Sequence, residues 1–338
     1  MQMNKEFDTT LVNDEPQVAG LVWRGFRGPE DYPHMIAVVH AAKETDQQEW
    51  VTSVEQVTRD YAYLENCDPF TDMVFAEVNG EVIGYGRCWW EQLLDQTRTY
   101  GFFAHLHPEW RNSGIRRGIL RRMEQRLRDI AATHPDDDEK LFQCWVSHGE
   151  THWEALLQSE GYTAVRYGYE MVRPNFDNIP DLPLPDGLEL RPADLSQWRQ
   201  IWEAVQEAFR DHWGAREQSE NNLVEWQAQP TFNPSLWQVA WDGDEVAGGV
   251  LTFINEDENK EYGRLRGYTE TIFTRRPWRR RGLARALIAH SLQLQKELGM
   301  TESALGVDAE NLSGALNLYK SMGFQIVKQA ATYRKAVE

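Results

Sequence analysis

The sequence predicts a mixed α/β protein that consists of two domains built to one plan. Its 338 residues correspond to about two domains of ordinary size. The same order of predicted elements occurs twice, and the matching glycines of the two copies are separated by a nearly constant number of residues. Gly114 and Gly282 lie 168 positions apart, and Gly161 and Gly323 lie 162 positions apart. A spacing this steady along the whole chain favours a duplication over chance.

Each half begins with a strand and a helix. Short apolar segments at 20–24 and 187–191 predict the strands, and helical patterns follow at 29–42 and 193–209. A β-hairpin comes next, because Asn-Gly in the first half and Asp-Gly in the second accept the positive φ of a tight turn between alternating apolar residues. The hairpin strands are predicted at 74–78 and 82–86, and at 237–241 and 246–250.

The remainder of each half repeats as well. An element of Pro, Trp and Arg precedes Gly114 and Gly282, and each glycine opens a helical pattern. A strand, a short helix and a glycine–aromatic pair follow that helix. These strands are predicted at 141–146 and 303–307.

A proline-rich segment separates the two halves. Four prolines stand between Arg173 and Gly187 together with Asp and Asn residues, and proline removes strand hydrogen bonds and stiffens a linker. We therefore expect an N-terminal domain at 1–175 and a C-terminal domain at 176–338. Each should contain a mostly antiparallel, twisted sheet flanked by helices.

Composition excludes several classes of protein. The 35 Lys and Arg residues against 53 Asp and Glu residues give a net charge of −18, which argues against nucleic acid and anionic membranes as partners. No apolar run approaches the roughly 20 residues that span a bilayer, and the polar segment 1–17 has no signal-peptide core. Cys67, Cys88 and Cys144 form no disulfide or zinc pattern. We expect a cytoplasmic protein without a metal.

The segment from 268 to 287 contains the most informative pattern. Tyr268 to Thr274 predicts a strand rich in β-branched and aromatic residues, and Gly282 opens a helix after a tight turn. Such a turn leaves backbone N–H groups that favour an anion such as a pyrophosphate, and the small Ala284 lets it approach. Positive charge is supplied by Arg275, Arg276, Arg279, Arg280 and Arg281. A solvated basic helix start is the alternative that this segment alone leaves open.

Two blocks in this order resemble the GNAT acetyltransferases. Arg279-x-x-Gly282-x-Ala284 is similar to their acetyl-CoA pyrophosphate turn, and the block from Leu305 to Phe324 is similar to their Asn, Ala, Tyr and Gly-Phe block. The resemblance implies direct transfer of an acetyl group from acetyl-CoA to an amine. It covers about 190–338 well and the first half more loosely. The tandem plan resembles that of mycothiol synthase, in which the C-terminal half catalyses.

The resemblance also implies the roles of individual residues. Tyr319 matches the tyrosine that serves as general acid for the departing thiolate, although its helical spacing also fits a plain core position. Glu270 is the candidate base, directly or through a water, and an exposed strand carboxylate is the alternative. Asn311 is similar to the asparagine near the CoA arm and can equally cap a helix.

The expected acetyl-CoA site combines a strand edge, the turn and the tyrosine. Backbone groups of the edge are expected to pair with pantetheine by β-type hydrogen bonds. The residues of this site are Ile272, Phe273, Thr274, Arg279, Arg280, Arg281, Gly282, Leu283, Ala284, Asn311 and Tyr319.

The first half lacks these features. In Arg111-x-x-Gly114-x-Arg116, a long arginine stands where the pattern requires Gly or Ala. At a spacing of 162, Leu157 takes the place of Tyr319. We therefore expect a degenerate N-terminal domain that shapes the acceptor site without catalysing.

The sequence defines the acceptor less closely. His212 and Trp213 are candidates for contact with the substrate, and ordinary surface residues are the alternative. The acidic composition favours a cationic amine, so we expect a small-molecule or peptide amine and a monomer or homodimer. Two alternatives stay open: acetylation of a cysteinyl amine as in mycothiol synthase, and an acyl-CoA sensor, which would need neither Tyr319 nor Glu270.

Overall fold

The structure, a computed structural model, describes residues 15–310 and 314–338. It has the mixed α/β architecture that the sequence predicts. The chain forms two compact units: the second contains Arg166–Gln329, and the first contains the residues before it together with Ala330–Glu338. This division differs from the boundary expected at residue 175, because most of the last strand of each half lies in the unit formed by the other half.

The first half of the chain follows the predicted order. Its elements are β1 (Leu21–Arg24), α1 (Tyr32–Lys43), α2 (Val54–Ala62), α3 (Pro69–Asp72), β2 (Met73–Val78), β3 (Glu81–Gln92), β4 (Thr97–Leu106), α4 (Ile115–Ala131), β5 (Glu139–Val146), α5 (Thr151–Ser159) and β6 (Thr163–Arg173). The predicted hairpin is confirmed, since β2 and β3 pair antiparallel across the Asn79-Gly80 turn.

The second half repeats most of this order, with one added helix at Glu256–Tyr262 and with breaks in two of its strands. Its elements are β7 (Glu189–Arg191), α6 (Trp198–Phe209), α7 (Glu220–Ala228), β8 (Gln238–Asp242), β9 (Glu245–Val250), β10 (Phe253–Ile254), α8 (Glu256–Tyr262), β11 (Arg266–Tyr268), β12 (Phe273–Thr274), α9 (Leu283–Glu297), β13 (Glu302–Asp308), α10 (Ala315–Ser321) and β14 (Gln325–Ala336). The second hairpin is confirmed by the pairing of β8 with β9.

One sheet runs through the first unit. Strands β1 to β4 pair antiparallel in chain order, β5 lies parallel to the first part of β4, and residues 331–336 of β14 pair antiparallel with β5. Helices α4 and α5 bury Ile119, Leu127 and Trp153 against one face. Helices α1 and α2 bury Val38 and Val57 in a separate cluster on β2 and β3.

The second unit contains two sheets. In one, β12, β9, β8 and β7 are neighbours; in the other, β6 pairs antiparallel with β13, which lies parallel to β11. The continuous strand predicted for 268–274 is therefore wrong, because the pairing stops after Tyr268 and resumes at Phe273. Thr271, between them, has a left-handed φ of 48°. This residue therefore lies at the break between the two sheets.

Other expectations concern cysteines, metals and membranes. Cys67, Cys88 and Cys144 are free thiols. Among the described residues, no cluster of His, Cys, Asp and Glu side chains could hold a metal ion. Within the same part of the chain, every helix is too short or too polar to cross a membrane.

Candidate active site

The interruption between β11 and β12 forms the centre of the site. The N–H of Thr269 donates to the carbonyl oxygen of Ala304 at 2.9 Å and continues the ladder between β11 and β13. Further along β13, the N–H of Gly306 donates to the side chain of Glu270 at 2.6 Å. Beyond this point β12 lies at the edge of the other sheet, paired only with β9 among the described strands. The two main chains therefore diverge at Glu270.

Glu270 occupies this point of divergence with an altered acidity. Burial raises the pKa of its carboxyl to about 7, while the N–H groups of Gly306 and Thr271 oppose the rise and the negative charge of Glu170 adds to it. A carboxyl with this pKa exchanges protons near neutral pH, which is the property that a general base requires.

Tyr319 lies on α10, close enough to Glu270 to be affected by the charge of that carboxyl. Its ring is buried and meets Phe324 edge to face at 6.4 Å. Burial raises the pKa of the Tyr319 hydroxyl well above its usual range, and the negative charge of Glu270 raises it further. The phenol therefore stays protonated at neutral pH, as a general acid must. The structure thus brings the two residues named by the sequence into one electrostatically coupled site.

A buried polar network holds the strand just before the interruption. Thr269 bonds to Ser303 at 2.8 Å and to Gln295 at 2.8 Å. Ser291 joins the network through Gln295 at 3.1 Å and Thr252 at 2.7 Å. All five side chains are fully buried, so each hydrogen bond is formed away from competing water. Sequence reasoning missed this network. The signal that could have revealed it is a set of hydroxyl and amide residues at buried positions in α9, in β13 and directly after β9 and β11.

The turn before α9 has the shape that the sequence predicts for an anion site. Gly282 is the N-cap in a left-handed conformation with φ 86°, and no side chain caps the helix. A Cβ at this glycine would meet no atom within 4 Å, so the space in front of the helix is open. The first N–H groups of α9, including those of Leu283 and Ala284, have no partner within the helix. This geometry fits a pyrophosphate.

Most of the nearby arginines hold protein groups instead. Arg276 and Arg279 both form ion pairs with Asp211, and their hydrogen bonds, together with their positive charges, lower the pKa of that carboxyl to about 2. Arg275 pairs with Glu207 at 2.6 Å. These three side chains therefore fasten the turn to the end of α6, which sequence reasoning did not foresee.

The two remaining arginines of the predicted site differ. Arg281 donates to the carbonyl oxygen of Asp186 at 2.9 Å. Arg280 is exposed, has a left-handed φ of 62° and pairs with no carboxylate among the described residues. Of the predicted cluster, Arg280 is therefore best placed to meet an anion at the helix start.

The expected strand edge is less regular than predicted. Phe273 and Thr274 form β12, and Ile272 lies in the interruption before it. The carbonyl oxygen of Thr274 accepts a hydrogen bond from the Arg279 side chain at 3.0 Å, so this group is already engaged. Asn311 lies outside the described residues.

His212 and Trp213 lie just after α6. His212 packs on Phe209, with ring centroids 4.4 Å apart. The guanidinium of Arg166 lies 5.6 Å from the Trp213 ring and forms a bidentate ion pair with Asp308 at 2.6 and 2.8 Å. Sequence reasoning missed Arg166 and Asp308, which stand at the start of β6 and the end of β13.

In the first unit, the position that corresponds to the open helix start at Gly282 and Ala284 is filled. Arg116 takes the place of Ala284; its Nε donates to the carbonyl oxygen of Ala104 at 2.8 Å, and its guanidinium lies 4.4 Å from the Trp153 ring centroid. Gly114, the counterpart of Gly282, is covered, because a Cβ there would approach Pro16 at 3.4 Å.

Comparison with known proteins identifies relatives. A model of the acetyltransferase (GNAT) family matches residues 36–139 and 198–324. The chain is 29% identical to a mycothiol acetyltransferase of Geodermatophilus obscurus, over 65% of this chain and 70% of the relative. It is 27% identical to one of Salinispora tropica, over 73% of this chain and 75% of the relative.

Solved structures agree with this relationship. A GCN5-related N-acetyltransferase from Sphaerobacter thermophilus matches with a TM-score of 0.71 and 25% identity, over 94% of this chain and 96% of that chain. A tandem GNAT protein from the clavulanic acid biosynthesis pathway shares the fold, with a TM-score of 0.62 and 14% identity, over 94% and 98% of the two chains. Because the family model matches more than half of the sequence, the chain belongs to the acetyltransferase (GNAT) family and is an N-acetyltransferase of tandem architecture.

Proposed function

We propose that the second unit transfers the acetyl group of acetyl-CoA to the amine of a small molecule or peptide, by direct attack in a ternary complex. The first unit does not catalyse. The observation that supports this most directly is that Glu270, which accepts the N–H of Gly306 at the break between β11 and β12, lies close enough to Tyr319 for its charge to raise the pKa of the phenol.

Acetyl-CoA binds along the diverging strand and the turn. Its pantetheine pairs with backbone groups of Ile272 and Phe273 by β-type hydrogen bonds. Its pyrophosphate lies on the uncapped helix start at Gly282 and Ala284, where backbone N–H groups and the helix dipole favour negative charge. Arg280 adds a cation at the same place.

Proton removal prepares the acceptor. An ordinary amine has a pKa of about 10 and is mostly protonated at neutral pH. The Glu270 carboxylate takes this proton, directly or through a water, and its pKa of about 7 keeps enough of it deprotonated to do so. The nitrogen lone pair then attacks the carbonyl carbon of the thioester and forms the new C–N bond.

Collapse of the tetrahedral intermediate breaks the C–S bond. The electron pair leaves on the sulfur of CoA, and the phenol of Tyr319 donates its proton to that thiolate. The second proton of the attacking nitrogen returns through water to the Tyr319 phenolate, which leaves a neutral amide, and Glu270 releases its proton to solvent. Because the pKa of the Tyr319 hydroxyl is elevated, the phenol keeps its proton until the sulfur departs.

The acceptor is drawn by the carboxyl of Glu270. Glu170 is paired with Arg266 and Lys328, and Asp308 is paired with Arg166, whereas Glu270 pairs with no Lys or Arg side chain among the described residues. Its negative charge attracts an ammonium group before deprotonation. A cysteinyl amine is the second acceptor class, because the relatives described above are mycothiol acetyltransferases.

A direct assay tests the proposal. The full chain is incubated with acetyl-CoA and a panel of primary amines that includes cysteine amides, and products are identified by mass spectrometry. We expect an acetyl amide together with one CoA per turnover. Saturable acetyl-CoA binding without turnover of any amine would favour the sensor, and no binding at all would contradict both.

A further inference from the structure

We propose that the first unit binds a small aromatic carboxylate at Arg87, in a site separate from the acetyl-transfer site. Arg87 lies on β3, and its guanidinium carbon lies 5.0, 5.6 and 5.2 Å from the ring centroids of Tyr61, Trp89 and Phe103. Three rings around one guanidinium make a half-enclosed cationic and aromatic site.

The polar atoms of this site are incompletely bonded. The Nε of Arg87 and the hydroxyl of Tyr61 are both buried without a well-aligned hydrogen-bond partner among the described residues, although the Arg87 guanidinium lies close enough to the hydroxyl to oppose the rise of its pKa on burial. Leaving a buried donor without a partner is costly, so such groups usually have a ligand or a water to bind. Here a donor fork and a phenol are available together.

No carboxylate within the described part of the chain neutralises Arg87. Asp72, the acidic residue of α3, is already paired with Arg126 at 2.7 Å and accepts the N–H of Asp68. A half-buried cation without a counter-ion is unusual in a protein with a net charge of −18. An external anion would supply the missing charge.

The neighbouring groups favour an aromatic ligand. His105 lies on β4 beside Phe103, with ring centroids 4.9 Å apart, and beside Trp50 at 5.8 Å. Burial lowers the pKa of His105 to about 3, and the charges of Arg116 and Arg87 contribute, so this ring is neutral. Arginine binds a carboxylate through two parallel hydrogen bonds, while the flat neutral rings accommodate an aromatic body by stacking. The site therefore fits one carboxylate joined to one ring.

Calorimetry with benzoate tests this inference on the full chain. We expect saturable binding to the wild-type protein and a loss of affinity of about tenfold or more in both Arg87→Gln and Arg87→Lys, because lysine keeps the charge but lacks the planar fork. Arg126→Lys is the matched control: it makes the same replacement at a nearby arginine that already has a partner, and benzoate should bind it as it binds the wild type.

A chemical readout locates the ligand. Phenylglyoxal modifies accessible guanidinium groups, and peptide mass spectrometry measures the modification of Arg87. Benzoate should protect this residue and leave the exposed Arg280 reactive. Equal benzoate affinity in the wild type and both Arg87 variants would overturn the proposal. Protection by inorganic phosphate as strong as that by benzoate would overturn the carboxylate assignment. Neither readout depends on acetyl transfer.

Discussion

The first unit contains an unbroken β4 from Thr97 to Leu106, whereas the corresponding stretch of the second unit is interrupted between β11 and β12. The two strands separate from their parallel neighbours near the same point: β4 leaves β5 after Gly101, and β11 leaves β13 after Tyr268. The first unit fills the opening with Arg116, which stacks on Trp153. At these two positions the second unit has the small residues Ala284 and Ala315.

The cores beneath the two strands differ in the same way. Thr269, Ser291 and Gln295 correspond, at a spacing of 168, to Gly101, Met123 and Leu127 in the first unit. Where the second unit has a buried hydrogen-bonded network, the first unit has apolar packing. The comparison teaches that one fold offers either a closed core or a cleft with a positioned carboxylate, and that a few side chains decide which.

Removing the proposed base has the largest expected effect. Glu270→Gln keeps an acceptor for the N–H of Gly306 but cannot take a proton, so kcat should fall by about 10²- to 10⁴-fold. In the wild type, kcat/KM should rise with pH through the pKa of about 7, and the variant should lose this limb. A pH–rate profile measures both. An unchanged acidic limb in the variant would show that another group is the base.

Glu270→Gln should lower activity but raise the stability of the folded protein. Because the pKa of Glu270 is higher in the folded state, stability is lost as pH rises from the unfolded value of this carboxyl through about 7. Glu270→Gln should therefore be more stable than the wild type at pH 8, by up to about 3 kcal/mol. Urea unfolding at pH 8 and pH 4 tests this, since the difference should vanish at the lower pH.

Removing the proposed acid comes next. Tyr319→Phe keeps the buried ring and its contact with Phe324, so the fold and the Kd of acetyl-CoA should change little. Without the phenol proton, kcat should fall by about 10²-fold. Stopped-flow measurement of CoA release, with calorimetry for acetyl-CoA binding, separates the two quantities. A fully active variant would leave Tyr319 as a core residue only.

Making the second unit resemble the first should weaken cofactor binding. Ala284→Arg introduces the side chain that Arg116 provides in the first unit, and it should fill the cleft and raise the KM for acetyl-CoA about tenfold or more. Gln293→Arg is the control, since it adds the same residue to an exposed position of α9. Equal KM values in the two variants would argue against acetyl-CoA binding at this turn.

The smallest effect is expected from the polar network. Gln295→Leu introduces the residue that the first unit has at this position. The change removes the hydrogen bond to Thr269, so Glu270 is positioned less accurately and kcat should fall about 3- to 10-fold. Stability should hold or improve, because the Oε1 of Gln295 is buried without a partner among the described residues. The reverse change, Leu127→Gln, should destabilise the first unit without lowering kcat. Thermal unfolding and initial rates compare the pair.

Local patterns account for what the sequence predicted correctly. Turn dipeptides, alternating apolar residues and glycines at helix starts depend on neighbouring residues, so they predicted the hairpins and the start of α9 at Gly282. Resemblance added Glu270 and Tyr319. The break at Thr271 was not predicted, because a run of β-branched residues favours a strand whether or not its partner diverges.

By itself, the sequence determined two copies of one mixed α/β plan and an anion-binding turn in the second copy. Tertiary structure decided which charges remain available there: Glu207 on α6 and Asp211 just after it are far away in the chain, and they engage Arg275, Arg276 and Arg279. It also decided the acidity of Glu270, since burial depends on what surrounds a side chain. Spacing along the chain specifies local geometry, whereas ion pairing and desolvation depend on residues that only folding brings together.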